Sequence, residues 1–403
     1  MSQDSQIPSP PQGASASDVD QSQPASKSIE FSITASEKND VLISAGQASI
    51  IDGSDGDDTL IIQGYDNTLD GGEGDDTLTA VGDKNYLDGG EGNDAITAFG
   101  NQNILDGGEG NDNLTALGNN NTLDGGEGDD LLNVQGNFNL LDGGDGDDTL
   151  IVTGESNTLD GGDGDDTLIA QGTHNILSGG DGDDVLTVVG SNNRLYGGEG
   201  HDQLNAFGHG NNLYGGPGDD TLIAQGDGNY LDGGDGNDLL HVIGDGNILD
   251  GGDGDDTLIS EGDENMLMGG AGNDTYIIMY GTGRAIINEN RQGGQDTLII
   301  RNIPQNDLDQ LTFHFSTIGT GSNLNIKAIV AGRTVKLVTI VDWFEDSSKI
   351  EQFCIEPMLE SAEDAADPRW QPMQYSLSDV YKRVLNHGLA IIRPDGTLVS
   401  DPA

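Results

Sequence analysis

The chain has 403 residues, of which 64 are Gly, 71 are Asp or Glu and only 15 are Lys or Arg, for a formal charge of −56. Such a polyanion repels nucleic acid and anionic lipid surfaces and attracts cations, and aromatics at 5% exclude one large aromatic-rich core. The single cysteine, Cys354, excludes an intramolecular disulfide framework, and no apolar run approaches the roughly 18 residues of a membrane helix.

The charge divides the chain into three. Residues 1–51 carry net −4, residues 52–278 carry net −47 with Lys84 and Arg194 as their only Lys or Arg, and residues 279–403 carry net −5. The first stretch, MSQDSQIPSPPQGASASDVD, lacks the basic and apolar segments of a Sec signal peptide. Its Ser/Gln/Pro-rich composition is that of a disordered segment, so residues 1–34 are expected to be a disordered leader.

The centre repeats every eighteen residues: DGGEGDDTLTAVGDKNYL at 70–87 is followed by DGGEGNDAITAFGNQNIL at 88–105, and the frame runs unbroken to about residue 278. One column reads Asp58, Asp76, Asp94, Asp112, Asp130, Asp148, Asp166, Asp184, Asp202, Asp220, Asp238, Asp256 and Asp274. Two residues after each Asp comes Leu, with Ile96 and Tyr276 as exceptions; through Gly262, Asn265 and Leu267, Gly follows at six, Asn at nine and Leu at eleven. A degenerate earlier copy begins at Asp40. Eighteen residues are too few for a helical hairpin. Gly-rich turns every nine residues leave strands of three to five, and two such strands make one coil of a β-solenoid. Alternation within a strand points Leu78 and Ala80 inward against Leu87, so the core is two thin sheets back to back. Coils advance about 4.8 Å each, which predicts an all-β rod of roughly 60–65 Å over residues 35–278.

Each coil has one segment of the form G-G-x-G-x-D, as in Gly71-Gly72-Glu73-Gly74-Asp75-Asp76. Glycines let the backbone turn sharply and aim carbonyls into the bend, and the Asp adds a carboxylate. Stacked turns surround a gap with hard oxygen donors, with neither His nor Cys. That set suits Ca²⁺ better than Zn²⁺, and better than Mg²⁺ with its small octahedral shell.

The segments GGEGDDTLT and GGDGDDTLI resemble the G-G-x-G-x-D-x-U-x nonapeptide of RTX (repeats-in-toxin) proteins, the haemolysin-type calcium-binding repeats. The resemblance covers about residues 35–278. It implies a calcium-stabilised parallel β-roll that folds outside the cell, after export of an unfolded chain by a type I exporter. The motif aspartates carry over onto the thirteen-member column. The motif glycines carry over onto Gly71, Gly72, Gly74, Gly89, Gly90, Gly92, Gly107, Gly108, Gly110, Gly125, Gly126, Gly128, Gly143, Gly144, Gly146, Gly161, Gly162 and Gly164 and their later equivalents. Ser54 replaces the second Gly of the first copy, Pro217 takes a variable position, and Ala35-Ser36 replaces the Gly pair beside Asp40.

Only every second nonapeptide matches. The other, as in Ala80-Val81-Gly82-Asp83-Lys84-Asn85-Tyr86-Leu87, has Asn at the ligand position, and a neutral amide can both donate and accept between coils. A two-edged rod is expected, with about twelve Ca²⁺ in the gaps between thirteen Asp turns and a metal-free Asn ladder opposite. Twelve Ca²⁺ would cancel 24 of the 47 central charges. The outer acids, Glu73, Asp163 and the Asp70 column, are assigned to net charge and solubility.

After residue 278 the period is lost. Apolar runs at 296–300, 311–315, 324–330 and 334–340 read together as an antiparallel β segment, with a short helix at 379–386 between Ser378 and Gly388. GGAGNDTYII, QDTLII and VTIVDWFEDSSKIEQF resemble the segment that follows the repeats in RTX proteins, where it caps the roll and leads into the secretion signal. Residues 279–403 are therefore expected to be a cap and type I secretion region. Trp343, Phe344 and Phe353 are its expected core residues, and Cys354 is read as a buried apolar residue.

No H-E-x-x-H helix, G-x-S-x-G elbow or P-loop is present, and His174, His201, His209 and His241 fall at variable repeat positions. The expected function is a secreted, extracellular, non-enzymatic calcium-binding roll without nucleic-acid partners or an integral membrane segment. It would act in the extracellular matrix or at the cell surface, with polysaccharide or the surface itself as partner. Three alternatives compete with this reading. A carbohydrate-binding module needs a cationic or aromatic groove. An ice-binding calcium solenoid needs a uniform outward Thr or Asn column, whereas Thr79, Thr97, Thr115, Asn133, Ile151 and Ile169 are mixed. A small membrane-active effector needs an insertion segment.

Overall fold

The computed structural model describes residues 32–288, 294–304 and 307, and the strands at 311–318, 323–330, 333–341, 350–357, 373–376, 389–392 and 398–399. The chain divides into two compact units, Met1–Phe207 and Gly208–Ala403. Both are built on the parallel β-solenoid.

In the first unit, one sheet stacks Thr59–Tyr65, Thr77–Val81, Ala95–Phe99 and their successors to Gln203–Phe207. The other stacks Thr68–Glu73, Tyr86–Glu91, Ile104–Glu109 and so on to Arg194–Glu199. Partners are eighteen residues apart without shift: Leu78 beside Ile96, Ala80 beside Ala98, Leu87 beside Leu105. Alternation puts those residues inside, and Leu78, Ala80 and Leu87 are fully buried. Each Leu so buried contributes about 1.5–3 kcal/mol. The core is one Leu thick on either side, so every coil leans on its neighbours for the rest of its stability.

The strands are five residues long in one sheet, as expected, and six in the other, one longer than expected. Gly72 and Glu73 continue the ladder opposite Gly90 and Glu91, so the Gly pair ends a strand and the bend begins only at the third Gly. The leader also ends earlier than residue 34. Ser32–Thr34 is a strand, parallel to Ile50–Asp52, and residues 1–31 lie outside the described residues.

The second unit repeats the coil through Thr275–Met279 and Asn265–Ala271. The inner columns admit Ser260 and Tyr276 here, both fully buried. Past residue 278 the sequence period stops but the coil does not. Asp296–Ile303 lies parallel to Thr275–Met279 rather than in an antiparallel segment, and Ile350–Pro357 lies parallel to it in turn. On the other sheet, Ala285–Asn288 is parallel to Asn265–Ala271, and Arg333–Val341 is parallel to Ala285–Asn288. The antiparallel expectation holds for Leu311–Ile318, Asn323–Val330 and Arg333–Val341, joined by Leu389–Ile392. Phe353 is buried, edge-on to Phe313 at 5.2 Å, and Cys354 is buried beside it. Trp343, Phe344 and the 379–386 helix lie outside the described residues.

Candidate metal centre

The two sheets meet at two edges, and each edge is a column of one residue type. At the first, the backbone N–H of Asp58 donates to Oδ1 of Asp76 at 2.6 Å, Asp76 donates likewise to Asp94, and Asp94 to Asp112. The chain of bonds continues through Asp130, Asp148, Asp166 and Asp184 to Asp202 in the first unit. It runs from Asp220 through Asp238 and Asp256 to Asp274 in the second. All thirteen aspartates are 0–3% exposed. The registered strands bring each of them into its column, where the eighteen-residue spacing placed them.

One carboxylate oxygen is satisfied by the ladder; the other is not. Oδ2 of Asp58, Asp76, Asp94, Asp112, Asp130, Asp148, Asp166, Asp184, Asp238, Asp256 and Asp274 is buried and meets no hydrogen-bond donor. An orphaned buried carboxylate oxygen costs on the order of 1–3 kcal/mol or more. The first Gly of the motif shows where these oxygens point. A Cβ built on Gly71 would strike Asp76 Oδ2 and the carbonyl oxygen of Gly89. Gly89, Gly107, Gly125, Gly143 and Gly161 each face the next Asp Oδ2 and the next coil's Gly carbonyl in the same way. Each of these gaps is thus a small cradle of acceptor oxygens, emptied of side chains by its Gly. The third Gly serves the bend: Gly74 has φ +132°, where an L side chain is strained.

The electrostatics are those of a site made for a cation. Burial raises the Asp148 carboxyl to about 7, against the lowering effect of the Asp130 N–H, with Asp166, Asp129 and Asp142 raising it further. Asp76, Asp112, Asp130, Asp166 and Asp256 are also raised by burial to about 7, and Asp184 and Asp238 to about 8. Among the described residues, no three His, Cys, Asp or Glu side chains gather as a metal cage. A cation in these gaps would draw on one carboxylate per coil and otherwise on main-chain carbonyls. That all-oxygen donor set fits Ca²⁺ and lacks the nitrogen and sulfur that Zn²⁺ favours.

The ends of the column explain the departures in the motif. The Asp40 N–H joins the ladder through Asp58 Oδ1 at 2.5 Å. Ser36, standing where a Gly would be, gives Asp40 Oδ2 two donors, its N–H at 2.8 Å and its hydroxyl at 2.7 Å. Those bonds hold the Asp40 carboxyl below the usual carboxylate range. At the far end, the Tyr276 hydroxyl stands beside Asp274 Oδ2, in the place that the next coil's Gly carbonyl takes elsewhere, and accepts the Gly269 N–H at 2.7 Å. Asp274 then donates to Asp296 Oδ1 at 2.9 Å. Sequence reasoning missed Ser36, Tyr276 and Asp296 as parts of the column. The signal for the last was the match of QDTLII to NDTYII, displaced to 22 residues by a four-residue insertion.

The opposite edge is an Asn ladder. Oδ1 of Asn85 accepts both the N–H and the Nδ2 of Asn67, at 3.2 and 2.9 Å, and Asn67 Nδ2 also reaches the Gly46 carbonyl at 3.4 Å. Asn139 and Asn157 repeat the paired bonds at 2.9 Å each. The Asp70 column is less of a solvated surface than expected. Asp88 and Asp106 share the Tyr86 hydroxyl at 3.0 and 3.1 Å, and burial raises both carboxyls.

The model of the RTX calcium-binding nonapeptide repeat family matches this architecture in seven stretches, at residues 33–61, 63–96, 97–133, 142–177, 170–204, 205–240 and 243–276. The chain belongs to that family. It is an RTX calcium-binding repeat protein with the parallel β-roll fold. No curated protein matches it. RTX rolls of this kind are generally non-catalytic, and their proteins are typically secreted by type I systems. No helix among the described residues of the RTX chain is long and apolar enough to cross a membrane.

Proposed function

We propose that the thirteen aspartates hold about twelve Ca²⁺ along one edge of the roll, and that this binding is the switch between an exportable chain and a folded extracellular protein. The observation that carries the reading is the repeated Oδ2, buried and without a donor, facing a Gly carbonyl. Bound Ca²⁺ would supply the missing positive charge between those oxygens. Without it, net −47 over residues 52–278 and the conformational entropy of the glycines oppose compaction. Binding free energy then becomes folding free energy. Cytosolic Ca²⁺ lies well below the roughly 10⁻⁴–10⁻³ M range of extracellular calcium modules. The chain therefore stays unfolded inside, threads through a type I exporter and folds outside. Its role there is non-enzymatic, in the matrix or at the cell surface, since the sequence carries no catalytic motif to set against the ligand array. Circular dichroism in EGTA, then in millimolar Ca²⁺, tests the switch. A cooperative gain of β signal is expected, and a full β spectrum in EGTA that added Ca²⁺ leaves unchanged would overturn it.

A further inference from the structure

In the first unit the outward face of the sheet that follows the Asp column is uncharged. From Thr59 to Phe207, no outward side chain of its strands is Asp, Glu, Lys or Arg, in a chain of net −56. Val81, Phe99 and Leu117 stack along it, 42%, 44% and 40% exposed. The opposite sheet of the same unit is the reverse, with Asp88, Asp106 and Asp124 outward. The coil does not require this difference. Thr153 and Gln171 stand at the position of Val81 and Phe99 without change of register. Nine strands of about five residues span roughly 40 by 16 Å, about 650 Å². The face is uncharged throughout and carries exposed apolar side chains toward both ends, Val81, Phe99 and Leu117 and then Val189 and Phe207, with Gln135, Thr153 and Gln171 between them; exposed apolar clusters of this kind mark interaction surfaces.

We propose that this face is the interface with a second copy of the chain, packed sheet on sheet about a two-fold axis. Charge selects the partner. A cationic partner would be drawn to the acidic edges and the Asp88 sheet, so a face kept neutral serves a partner that is not cationic. A second copy offers the same neutral face, and isologous pairing turns the carboxylates of both copies outward. Any other approach of two such polyanions brings carboxylates together. Two faces of this size bury about 1,300 Å² in total, within the roughly 1,200–2,000 Å² of stable specific interfaces.

Sedimentation equilibrium of the full chain in millimolar Ca²⁺ tests this. A dimer is expected that tightens as salt rises, because screening removes repulsion and leaves the apolar contact. Phe99→Asp with Leu117→Asp should weaken it at least tenfold, while Thr122→Asp, the same charge placed on the other sheet, should leave it unchanged. Calcium-dependent β signal verifies folding of each variant. Thr115→Glu, a single change at an outward, half-buried position of the strand centre, carries the same expectation should the double variant not fold. A wild-type monomer at every concentration, a dimer that weakens with salt, or unchanged dimerisation in the folded charge variants overturns the proposal. So does a monomer retained by insoluble cellulose, which would make the occupant a neutral glycan.

Discussion

The two edges of the roll differ by little more than one atom per coil. On both, a backbone N–H donates to the Oδ1 one coil on, at 2.6 Å from Asp58 to Asp76 and 3.2 Å from Asn67 to Asn85. On the Asn edge the remaining atom is an NH₂, which donates to the next Asn and back to a Gly carbonyl. On the Asp edge it is an oxygen, set beside another acceptor with no proton between them. One ladder closes on itself; the other leaves an acceptor oxygen without a donor in coil after coil. The column ends teach the same lesson, since Ser36 supplies Asp40 from the protein with the donors that the interior sites lack.

The strongest way to break this comparison is to remove a carboxylate in mid-column. Asp148→Ala interrupts the gaps shared with Asp130 and Asp166 and should raise the calcium midpoint of folding several-fold, more than Asp58→Ala near the end, because coupling runs between nearest neighbours. Calcium titration followed by circular dichroism checks the order of the two. In the same titration the wild type should saturate near twelve Ca²⁺. Saturation near twice that number would mean that the Asn edge binds too.

On the other edge, Asn139→Ala removes the acceptor of Asn121 and the donor to Asn157. It should cost about 1–3 kcal/mol of stability, read by urea unfolding in saturating Ca²⁺, while calcium stoichiometry stays the same. A lost calcium in this variant would reverse the assignment of the edges.

Acid should move the edges apart. The Asp148 carboxyl stands near 7 in the metal-free roll, above the roughly 3.9 of an unfolded Asp. The raised value favours the neutral form when folded. The metal-free roll is therefore most stable below about pH 4 and loses that contribution as pH rises through about 7. In EGTA, β signal should grow on acidification. In Ca²⁺ the sign reverses, because a proton must leave before the ion binds, and the midpoint should rise by at most about tenfold per pH unit for each proton displaced. The Asn edge has no carboxyl in its column and should add nothing to either trend.

Much of this was legible in the sequence because an eighteen-residue period fixes both columns once strand parity is known. Thirteen Asp and twelve Asn in register could lie only along edges, and the structure places each set in its own column. The rest depended on geometry that the period does not carry. The four-residue insertion before Asp296 hid the continuing coil, since a loop can lengthen without disturbing the strands it joins. Ser36 and Tyr276 read as imperfect repeats, and only the structure shows Ser36 donating to Asp40 and the Tyr276 hydroxyl standing beside Asp274. The Gly pair looked like a bend because Gly is usual there, whereas the missing Cβ of its first member leaves room for the carboxylate and its second, with φ +109° at Gly72, lies against the carbonyl of the preceding coil.

The smallest effect should come from the turns themselves. Where the Asn edge bends, the residue before each Asn is left-handed: Lys84, Gln102, Asn120, Phe138, Ser156, His174 and Asn192 have φ between 57° and 62°, and Gly210, Gly228 and Gly246 take the slot later. The Asp-edge bend, as at Gly146 with φ +139°, excludes side chains twice, by its backbone angle and by the Gly128 carbonyl against which a Cβ would press. Ordinary residues in the left-handed region cost roughly 1–2 kcal/mol, and Asn less, through its local hydrogen bonding. Phe138 is 62% exposed, so its ring contributes little to set against that strain. Phe138→Asn should therefore stabilise the roll by about 0.5 kcal/mol and leave the calcium stoichiometry unchanged. Gly146→Ala, in the bend of the other edge, should destabilise the roll and raise the calcium midpoint. Urea midpoints in saturating Ca²⁺ read the first variant and a calcium titration reads the second; equal tolerance of both would mean that the two bends are alike and the edges differ in side chain alone.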